Sequence, residues 1–522
     1  MTAHVKKDSL DWALTHVERY GDTDIFPTPF EVRAIRHKWD SLREELSRQD
    51  LDTWQSRVLR RCMAPKGRFS YRLVTQLDPI DALLYTALVY EIGSDLEKFR
   101  LPTSEQVVHS YRFEPSDTGR MFSPLFGYGS FLQRCQELTD EGSFDYVVTA
   151  DIADFFPRLY FHRIESTFQL ATTQADQARV LLKLLKGWNE RVSYGIPVGS
   201  NASRLIAEAT LQDIDECLLA EGAVYCRYSD DFRIFCKSKP EAYSKLETLA
   251  LVLQESHGLS LQPGKTEILP TQEFQSKYLQ TPYKIELKGL REHFEDILGK
   301  LGLEDPYEEL DYEELDGETQ AAIDSLNLFE ILDKQLAQEN VDFGLIKFIL
   351  RRLGQLNQSV GVERVFDAHE KCYPVIPVVV SYISSLKSLE SAHMRNIGEQ
   401  LITFVKGSLI GQLPFHRCWL LSIFGDSDQW GQKEVLPELY AKYPDIFTQR
   451  KLILALGRSK QQYWFRRMRS DVMQLSPWSR RAFLAASSCM APEEAKHWYA
   501  SISGRVNGLD RAIIEWAKAN PF

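Results

Sequence analysis

Three aspartates stand at the ends of strand-like segments, where they could bind divalent metal ions. Asp230 and Asp231 lie between AVYCRY and FRIFC, so the tetrapeptide 228–231 is predicted to be the tight turn of a β-hairpin. Asp151 ends a third such segment, FDYVVTADI. Nucleotidyl transfer uses two divalent ions about 4 Å apart, and Mg²⁺ prefers carboxylate oxygens. Asp151, Asp230 and Asp231 are therefore candidate catalytic residues and metal ligands; the alternative is an exposed turn, in which Asp is common.

Two further segments could contact a nucleotide. The sequence GIPVG, ending at Gly199, is a glycine loop that brings backbone close to a ligand and leads into an amphipathic helix from Asn201. Downstream, LQPGKT supplies Lys265, whose ammonium could neutralise or protonate a departing pyrophosphate. A solvated turn lysine is the equally simple alternative for this residue.

Composition restricts the classes of protein to which the chain can belong. With 522 residues, 44% of them hydrophobic and 26% charged, it is an ordered protein of several domains. The net charge of −11 argues against coating nucleic acid by bulk charge, so any polyanion must bind at local basic patches. The eight cysteines show no metal-site spacing. No apolar run is long enough for a signal peptide or a membrane span, so we expect a cytoplasmic protein without membrane contact.

The pattern of apolar residues divides the chain into four parts. Residues 1–50 are predicted to be a helical extension, with one helix near Leu10–Val17 and a second near Val32–Leu46. Residues 51–300 alternate strand-like and helical stretches, which indicates a mixed α/β domain. Residues 301–318 form an acidic linker, with nine acids and no base between Glu304 and Glu318. Residues 319–522 carry helical spacing throughout and predict an all-α, HEAT-like repeat domain; an irregular helical bundle is the alternative.

The order of these motifs resembles that of the reverse transcriptases. DIADFF, GIPVG with its helix, YSDD and LQPGKT resemble palm motifs A to D of that family, over roughly residues 55–290. The resemblance implies a palm-and-fingers polymerase domain. It also implies that Asp151 and Asp230 bind the metal ions with Asp231 as their companion, that the carbonyl of Ile152 is a further ligand, and that Phe156 is a steric gate against the ribose 2′-hydroxyl.

The resemblance extends to basic residues upstream of the palm. The segment RVLRRCMAPKGRFSYR is rich in arginine, and SYRFEP adds Arg112. Both segments are similar to the fingers of reverse transcriptases, where basic side chains bind the phosphates of the nucleotide and of the nucleic-acid strand. Arg68, Arg72 and Arg112 are accordingly expected to contact the nucleotide. One departure is present: where the family has Pro-Gln-Gly in motif B, this chain has Val198 before Gly199.

A P-x-G motif B followed by a long helical half looks most like the bacterial abortive-infection and other defence-associated reverse transcriptases of the unknown-group class. The implied function is an RNA-directed or template-independent DNA polymerase in antiphage defence, in some members primed on a protein hydroxyl; Tyr20 is a candidate primer. The implied cofactors are Mg²⁺, with Mn²⁺ as the alternative ion, and deoxynucleoside triphosphates. The implied partners are an RNA template, the DNA product and a second copy of the chain. Two alternatives stay open: a retron-like enzyme that copies a dedicated noncoding RNA, and an inactive nucleic-acid-binding scaffold.

A second basic segment lies in the helical half, where arginines and lysines alternate with aromatic residues between Arg450 and Arg481. Such a pattern suits single-stranded nucleic acid, through phosphate pairing and stacking. Helix packing with extended arginine side chains explains the same pattern equally well.

Overall fold

The computed structural model describes residues 3–67, 69–189, 191–280, 289–290, 292–294, 316–324, 326–387, 389–506 and 508–522. The chain forms two compact units. The first contains residues 1–61 and 73–281, and the second contains residues 62–72 and 282–522. No helix in the described ranges combines the length and the apolar character that a membrane crossing needs.

The first unit carries all the strands of the main sheet together with the helices that cover it. In chain order, the elements up to residue 274 are α1 (Lys7–Tyr20), α2 (Glu31–His37), α3 (Trp39–Arg48), β1 (Arg60–Gly67), β2 (Ser70–Gln76), α4 (Pro79–Phe99), α5 (Tyr128–Asp140), β3 (Tyr146–Asp151), α6 (Phe155–Arg158), α7 (Phe161–Ala171), α8 (Ala175–Trp188), α9 (Asn201–Thr210), α10 (Gln212–Ala220), β4 (Val224–Tyr228), β5 (Asp231–Cys236), α11 (Lys239–Val252), β6 (Glu267–Pro270) and α12 (Thr271–Phe274). Strands β1 and β2 form a separate two-stranded sheet.

The main sheet has four antiparallel strands in the order β4-β5-β3-β6. Its central strand β3 is buried on both faces, since Val147, Val148 and Ala150 are fully inaccessible to solvent. Strands β4 and β5 are joined by the two-residue loop Ser229–Asp230, so the predicted hairpin is confirmed. The first unit is therefore a mixed α/β domain, as the alternation of strand-like and helical stretches predicts.

The N-terminal extension packs on the long helix α4. Helix α1 buries Leu10, Ala13, Leu14 and Val17, and Trp12 stacks on Tyr90 of α4 with ring centroids 4.2 Å apart. The prediction of one helix near Val32–Leu46 is wrong: the segment forms α2 and α3, separated at Lys38, which leaves helical geometry with φ −115° and ψ 24°. The break lets both helices bury their apolar sides, since Ile35 before it and Trp39 after it are inaccessible to solvent.

Apart from residues 62–72, the described part of the second unit consists of α-helices joined by short turns. The helices are α13 (Gly317–Asp324), α14 (Leu328–Ala337), α15 (Phe343–Gln355), α16 (Gly361–Asp367), α17 (Ile376–Ser385), α18 (Ser391–Gly407), α19 (Pro414–Leu420), α20 (Ser422–Asp426), α21 (Leu436–Lys442), α22 (Ile446–Arg458), α23 (Gln462–Met468), α24 (Pro477–Ala486), α25 (Pro492–Ile502) and α26 (Gly508–Ala519).

Six of these helices contact one another in sequence: α15 packs on α17, α17 on α19, α19 on α22, α22 on α24, and α24 on α26. Their starting points recur roughly every 30 to 40 residues, a period in the range of helical repeats. The all-α character of this half is therefore present, while its HEAT-like classification stays a prediction. Of the predicted acidic linker 301–318, residues 301–315 lie outside the described residues.

Candidate active site

The three candidate aspartates meet at one edge of the main sheet. Asp151 is the last residue of β3 and Asp231 the first of β5, and the two are direct partners in the antiparallel register. The backbone N–H of Ile152 donates to the carbonyl oxygen of Asp230 at 3.0 Å. Residues almost eighty positions apart in the sequence are thereby held on neighbouring strand ends.

Two cations neutralise the carboxylates in this arrangement. Lys265 Nζ lies 2.6 Å from Asp151 Oδ2, and Arg233 Nη2 donates to Asp231 Oδ2 at 3.0 Å. The segment that carries Lys265 is also tied to Asp151 through its backbone, since the Gln262 N–H donates to the Asp151 carbonyl at 2.7 Å. Burial raises the pKa of Asp231; Arg233 opposes this shift, while the Asp151 carboxylate adds to it.

The donor set suits a hard divalent cation. It offers carboxylate oxygens on rigid strand ends and the neighbouring carbonyl of Ile152, the kind of ligand that Mg²⁺ accepts. The Asp151 carboxylate helps to raise the pKa of Asp231, so a cation between them would relieve the repulsion of like charges. Within the described ranges, no three Asp, Glu, His or Cys side chains already converge as a complete metal-binding group. A divalent ion bound to Asp151 Oδ2 would compete with the Lys265 ammonium for that oxygen.

The loop that follows β3 is bonded to the glycine loop before α9. The N–H of Gly195 donates to the carbonyl of Leu159 at 2.8 Å, and the N–H of Ile196 donates to that of Phe156 at 3.1 Å. Gly195 has φ +96°, and a side chain there would meet the carbonyl oxygen of Pro157. Phe156 is half-buried and packs edge-on against Phe155 with ring centroids 5.3 Å apart. Two backbone hydrogen bonds thus join these two segments to each other.

The N-terminal segment fills the space beside Gly199. This glycine has φ +105°, and a Cβ atom there would lie 2.3 Å from Thr23 Oγ1 and 2.7 Å from Ile25 Cδ1. Arg204, one turn into α9, is ion-paired with Asp24 of the same segment. Close packing by the chain's own N-terminal extension is therefore sufficient to favour glycine at position 199, and contact of Gly199 with a nucleotide stays a prediction.

Replacing Gly199 with alanine should lower the stability of the first unit by about 2–4 kcal/mol, because the new Cβ meets Thr23 while the backbone stays left-handed. Thermal unfolding measures this loss. Gly222→Ala is the matched control: Gly222 also has a positive φ, +70°, but nothing lies within 4 Å of its Cβ position. Gly222→Ala should lower the free energy of unfolding by only about 1 kcal/mol. Equal losses in the two variants would show that the N-terminal segment does not press on Gly199.

The structure holds Arg112, one of the predicted arginines of the fingers, inside the protein. Arg112 is only 2% exposed, and its guanidinium donates to Glu97 and to the carbonyls of Val108 and Leu101. Such a buried guanidinium cannot reach a nucleotide. Arg72 is exposed on β2 within the second unit, and Arg68 lies outside the described residues.

The two ends of the basic segment of the helical half are buried and serve packing. Trp478 is fully buried, Arg450 and Arg481 are 1% and 2% exposed, and both guanidinium groups lie over the Trp478 ring. Arg466 is on the surface but is ion-paired with Glu494. The packing alternative is therefore confirmed for the two ends of this segment, while its middle, which includes the 75% exposed Tyr463, lies on the surface.

A buried ion network under the Ser229–Asp230 turn was missed by sequence reasoning. It contains Glu208 of α9 and Arg227 of β4, which are both fully buried and bonded directly to each other, and Ser110, whose hydroxyl donates to Glu208. A signal was present: Glu208 falls on the apolar face of its helix, three residues after Leu205, and Arg227 stands in an otherwise apolar strand. A charged residue at such a position is expected to have a charged partner inside the protein.

Part of the chain is similar to known proteins. Residues 65–281 match the family described as reverse transcriptase (RNA-dependent DNA polymerase). Among solved structures, telomerase from Candida albicans in complex with a TWJ fragment of telomeric RNA is 10% identical with a TM-score of 0.32, covering 78% of this chain and 70% of that one. Apo telomerase from Candida tropicalis is 9% identical with a TM-score of 0.30, covering 70% and 69%. No curated protein matches the sequence.

Proposed function

Since residues 65–281 are a reverse transcriptase domain, an RNA-directed DNA polymerase and nucleotidyltransferase, we propose that this chain synthesises DNA at the sheet edge formed by Asp151, Asp230 and Asp231. The observation that carries the proposal is the pairing of Asp151 with Asp231 at the ends of adjacent strands. Reverse transcriptase domains use divalent metal ions and deoxynucleoside triphosphates, and we assign Mg²⁺ as the ion, with Mn²⁺ as a substitute.

In this proposal each side chain has a distinct task. The carboxylates of Asp151 and Asp230, with Asp231 and the carbonyl of Ile152, hold the ions. Divalent ions held by these residues would supply a lowered pKa of the attacking hydroxyl and stabilisation of the charge on the departing pyrophosphate. Lys265 is half-exposed, with 51% of its side chain accessible, so its ammonium can turn from Asp151 toward that pyrophosphate.

The direct test is DNA synthesis by the purified chain with Mg²⁺ and deoxynucleotides, with and without an RNA template annealed to a DNA primer. Sequencing of the product separates three outcomes. A copy of the supplied RNA supports RNA-directed synthesis, DNA unrelated to any RNA supports untemplated synthesis, and a copy of one copurifying RNA supports the retron-like alternative. Absence of any DNA under all these conditions contradicts the proposal and leaves the scaffold alternative.

Phe156 is proposed to exclude ribonucleotides by clashing with the 2′-hydroxyl. Its half-buried ring and its position in α6, the single helical turn that follows β3, support this role. Phe156→Ala should therefore raise the ratio of kcat/KM for ribonucleotides to that for deoxynucleotides about 10- to 100-fold. Tyr160→Ala is the control, because Tyr160 is a 42% exposed aromatic residue just beyond the same turn. A ratio that changes equally in both variants would rule out a specific gate.

We further propose that the synthesis serves antiphage defence in bacteria, as an abortive-infection system. The support is the resemblance of motif B, with Val198 in place of glutamine, together with the long helical half of the chain. Cells that express the protein should plate phage with lower efficiency than cells that express Asp151→Ala. Protection that persists in the variant would separate defence from DNA synthesis.

A further inference from the structure

The loop that presents Asp230 contains a residue in an unfavourable backbone conformation. Ser229 has φ +57°, in the left-handed region where residues other than glycine are disfavoured. The residue is 5% exposed, so water cannot satisfy its backbone groups. Its N–H donates to Ser110 Oγ at 2.8 Å, and its carbonyl accepts from Arg227 Nη1 at 3.3 Å. Two partners inside the protein thus hold this conformation.

The orientation of the Ser110 hydroxyl is set by Glu208. A serine hydroxyl has one hydrogen to donate, and that of Ser110 goes to Glu208 Oε1 at 2.6 Å. Its lone pairs therefore face Ser229. Glu208 Oε2 in turn accepts from Arg227 Nη1 at 2.7 Å and from Arg100 Nη2 at 3.0 Å.

The ionised carboxylate of Glu208 can only accept hydrogen bonds, so it fixes the direction of donation in this chain of bonds. Burial by itself raises the pKa of Glu208, but Arg227 and Arg100 outweigh that effect, so the pKa lies below its ordinary value. Arg227 is held from its other side by two bonds to Asp215, of 2.7 and 2.6 Å. Ser110, Glu208 and Arg227 are all fully buried, so this arrangement has little freedom to rearrange.

We propose that Ser110, Glu208 and Arg227 are positioning residues that fix the Ser229 turn and thereby the carboxylate of Asp230. The inference rests on the proposed function, since it assigns the turn a catalytic task. The network joins three separate parts of the chain: the segment before Phe113, helix α9 and strand β4. It couples the helix behind the glycine loop to the metal-binding edge of the sheet.

Ser110→Ala tests the proposal with the smallest change, since it removes one hydroxyl from the network. With the full-length protein, kcat should fall about 10- to 100-fold, because a displaced reacting group loses rate on that scale. The KM for deoxynucleotides should change little. Binding of Mn²⁺, followed by the electron paramagnetic resonance signal of the free ion, should weaken about tenfold without any turnover. Ser110→Thr, which keeps the hydroxyl, should restore both quantities.

Ser487→Ala is the matched control, because Ser487 is an equally buried serine in the helical unit whose hydroxyl bonds to Leu484 and Tyr499. It should leave kcat and Mn²⁺ binding unchanged. If Ser110→Ala does not fold, Ser110→Cys replaces it, since a thiol is a weak donor of similar size and should give an intermediate loss. An active wild type with unchanged kcat and Mn²⁺ binding in the folded variant overturns the positioning role. An inactive wild type instead overturns the proposed function.

Discussion

The Asp230→Asn variant is expected to lose DNA synthesis by about a thousandfold or more. The substitution keeps the shape of the side chain but removes a negative charge at the point where the hairpin loop meets β3. Electrostatic stabilisation at a metal-binding site lowers the activation barrier by several kcal/mol, and about 4 kcal/mol corresponds to three orders of magnitude in rate. Incorporation of a labelled deoxynucleotide under single-turnover conditions measures the loss.

Asp145→Asn makes the same chemical change at the opposite end of β3. Asp145 is exposed and directly precedes the strand whose last residue is Asp151, so its variant should retain wild-type activity. Both variants should unfold at the wild-type temperature to within a few degrees. Synthesis by Asp230→Asn at more than about a tenth of the wild-type rate would contradict the assignment of the site.

Removal of the Arg227 side chain should produce the largest loss of stability in the first unit. Arg227→Ala leaves Asp215 and Glu208 as buried carboxylates. Asp215 loses its two bonds to the Arg227 guanidinium. Glu208 loses the Arg227 guanidinium and keeps its ion pair with Arg100. Loss of one member of a buried ion network costs about 3–5 kcal/mol, because the remaining charge is uncompensated. For amides of β4 and β5 that exchange through unfolding of this unit, the rate of hydrogen exchange should rise by the factor that this loss of unfolding free energy sets.

The control for this loss is an exposed ion pair on the same unit. Arg134 pairs with Glu137 on the surface of α5 at 3.1 Å, with 25% and 44% of the two side chains accessible. Arg134→Ala should cost less than about 1 kcal/mol, since water already solvates both charges. A similar small cost for Arg227→Ala would show that Asp215 and Glu208 find other partners or take up protons.

Some parts of the site were predictable because their signals are local. The hairpin around Ser229 follows from alternating apolar residues on both sides of a short polar loop, and this pattern is satisfied by two neighbouring strands. The helix after GIPVG follows from the spacing of Leu205, Ile206 and Ala209 in the same way. Each inference needs only residues within about a dozen positions of one another.

Other parts depended on contacts that no local pattern specifies. Gly199 resembled a ligand-binding glycine, yet its neighbours are Thr23 and Ile25 from the N-terminal extension. Arg112, in the segment SYRFEP, was expected to contact the nucleotide because that segment is similar to the fingers of reverse transcriptases, yet Glu97 holds it inside the protein. In both cases the partner comes from a distant segment, so the same residue type fits two environments until the chain is folded.

By itself the sequence determined the class of one domain and the helical character of the rest: the types and order of its motifs predicted the reverse transcriptase domain, and its helical periodicity predicted the all-α half. Only the tertiary structure decided which charges are paired and which are exposed. It paired Asp151 with Asp231 across the sheet, placed Lys265 on Asp151, and buried Arg227 with Glu208 beneath the turn. The reason is physical, because periodicity reports which face of an element is buried, whereas the environment of a charge is set by groups that folding brings from elsewhere in the chain.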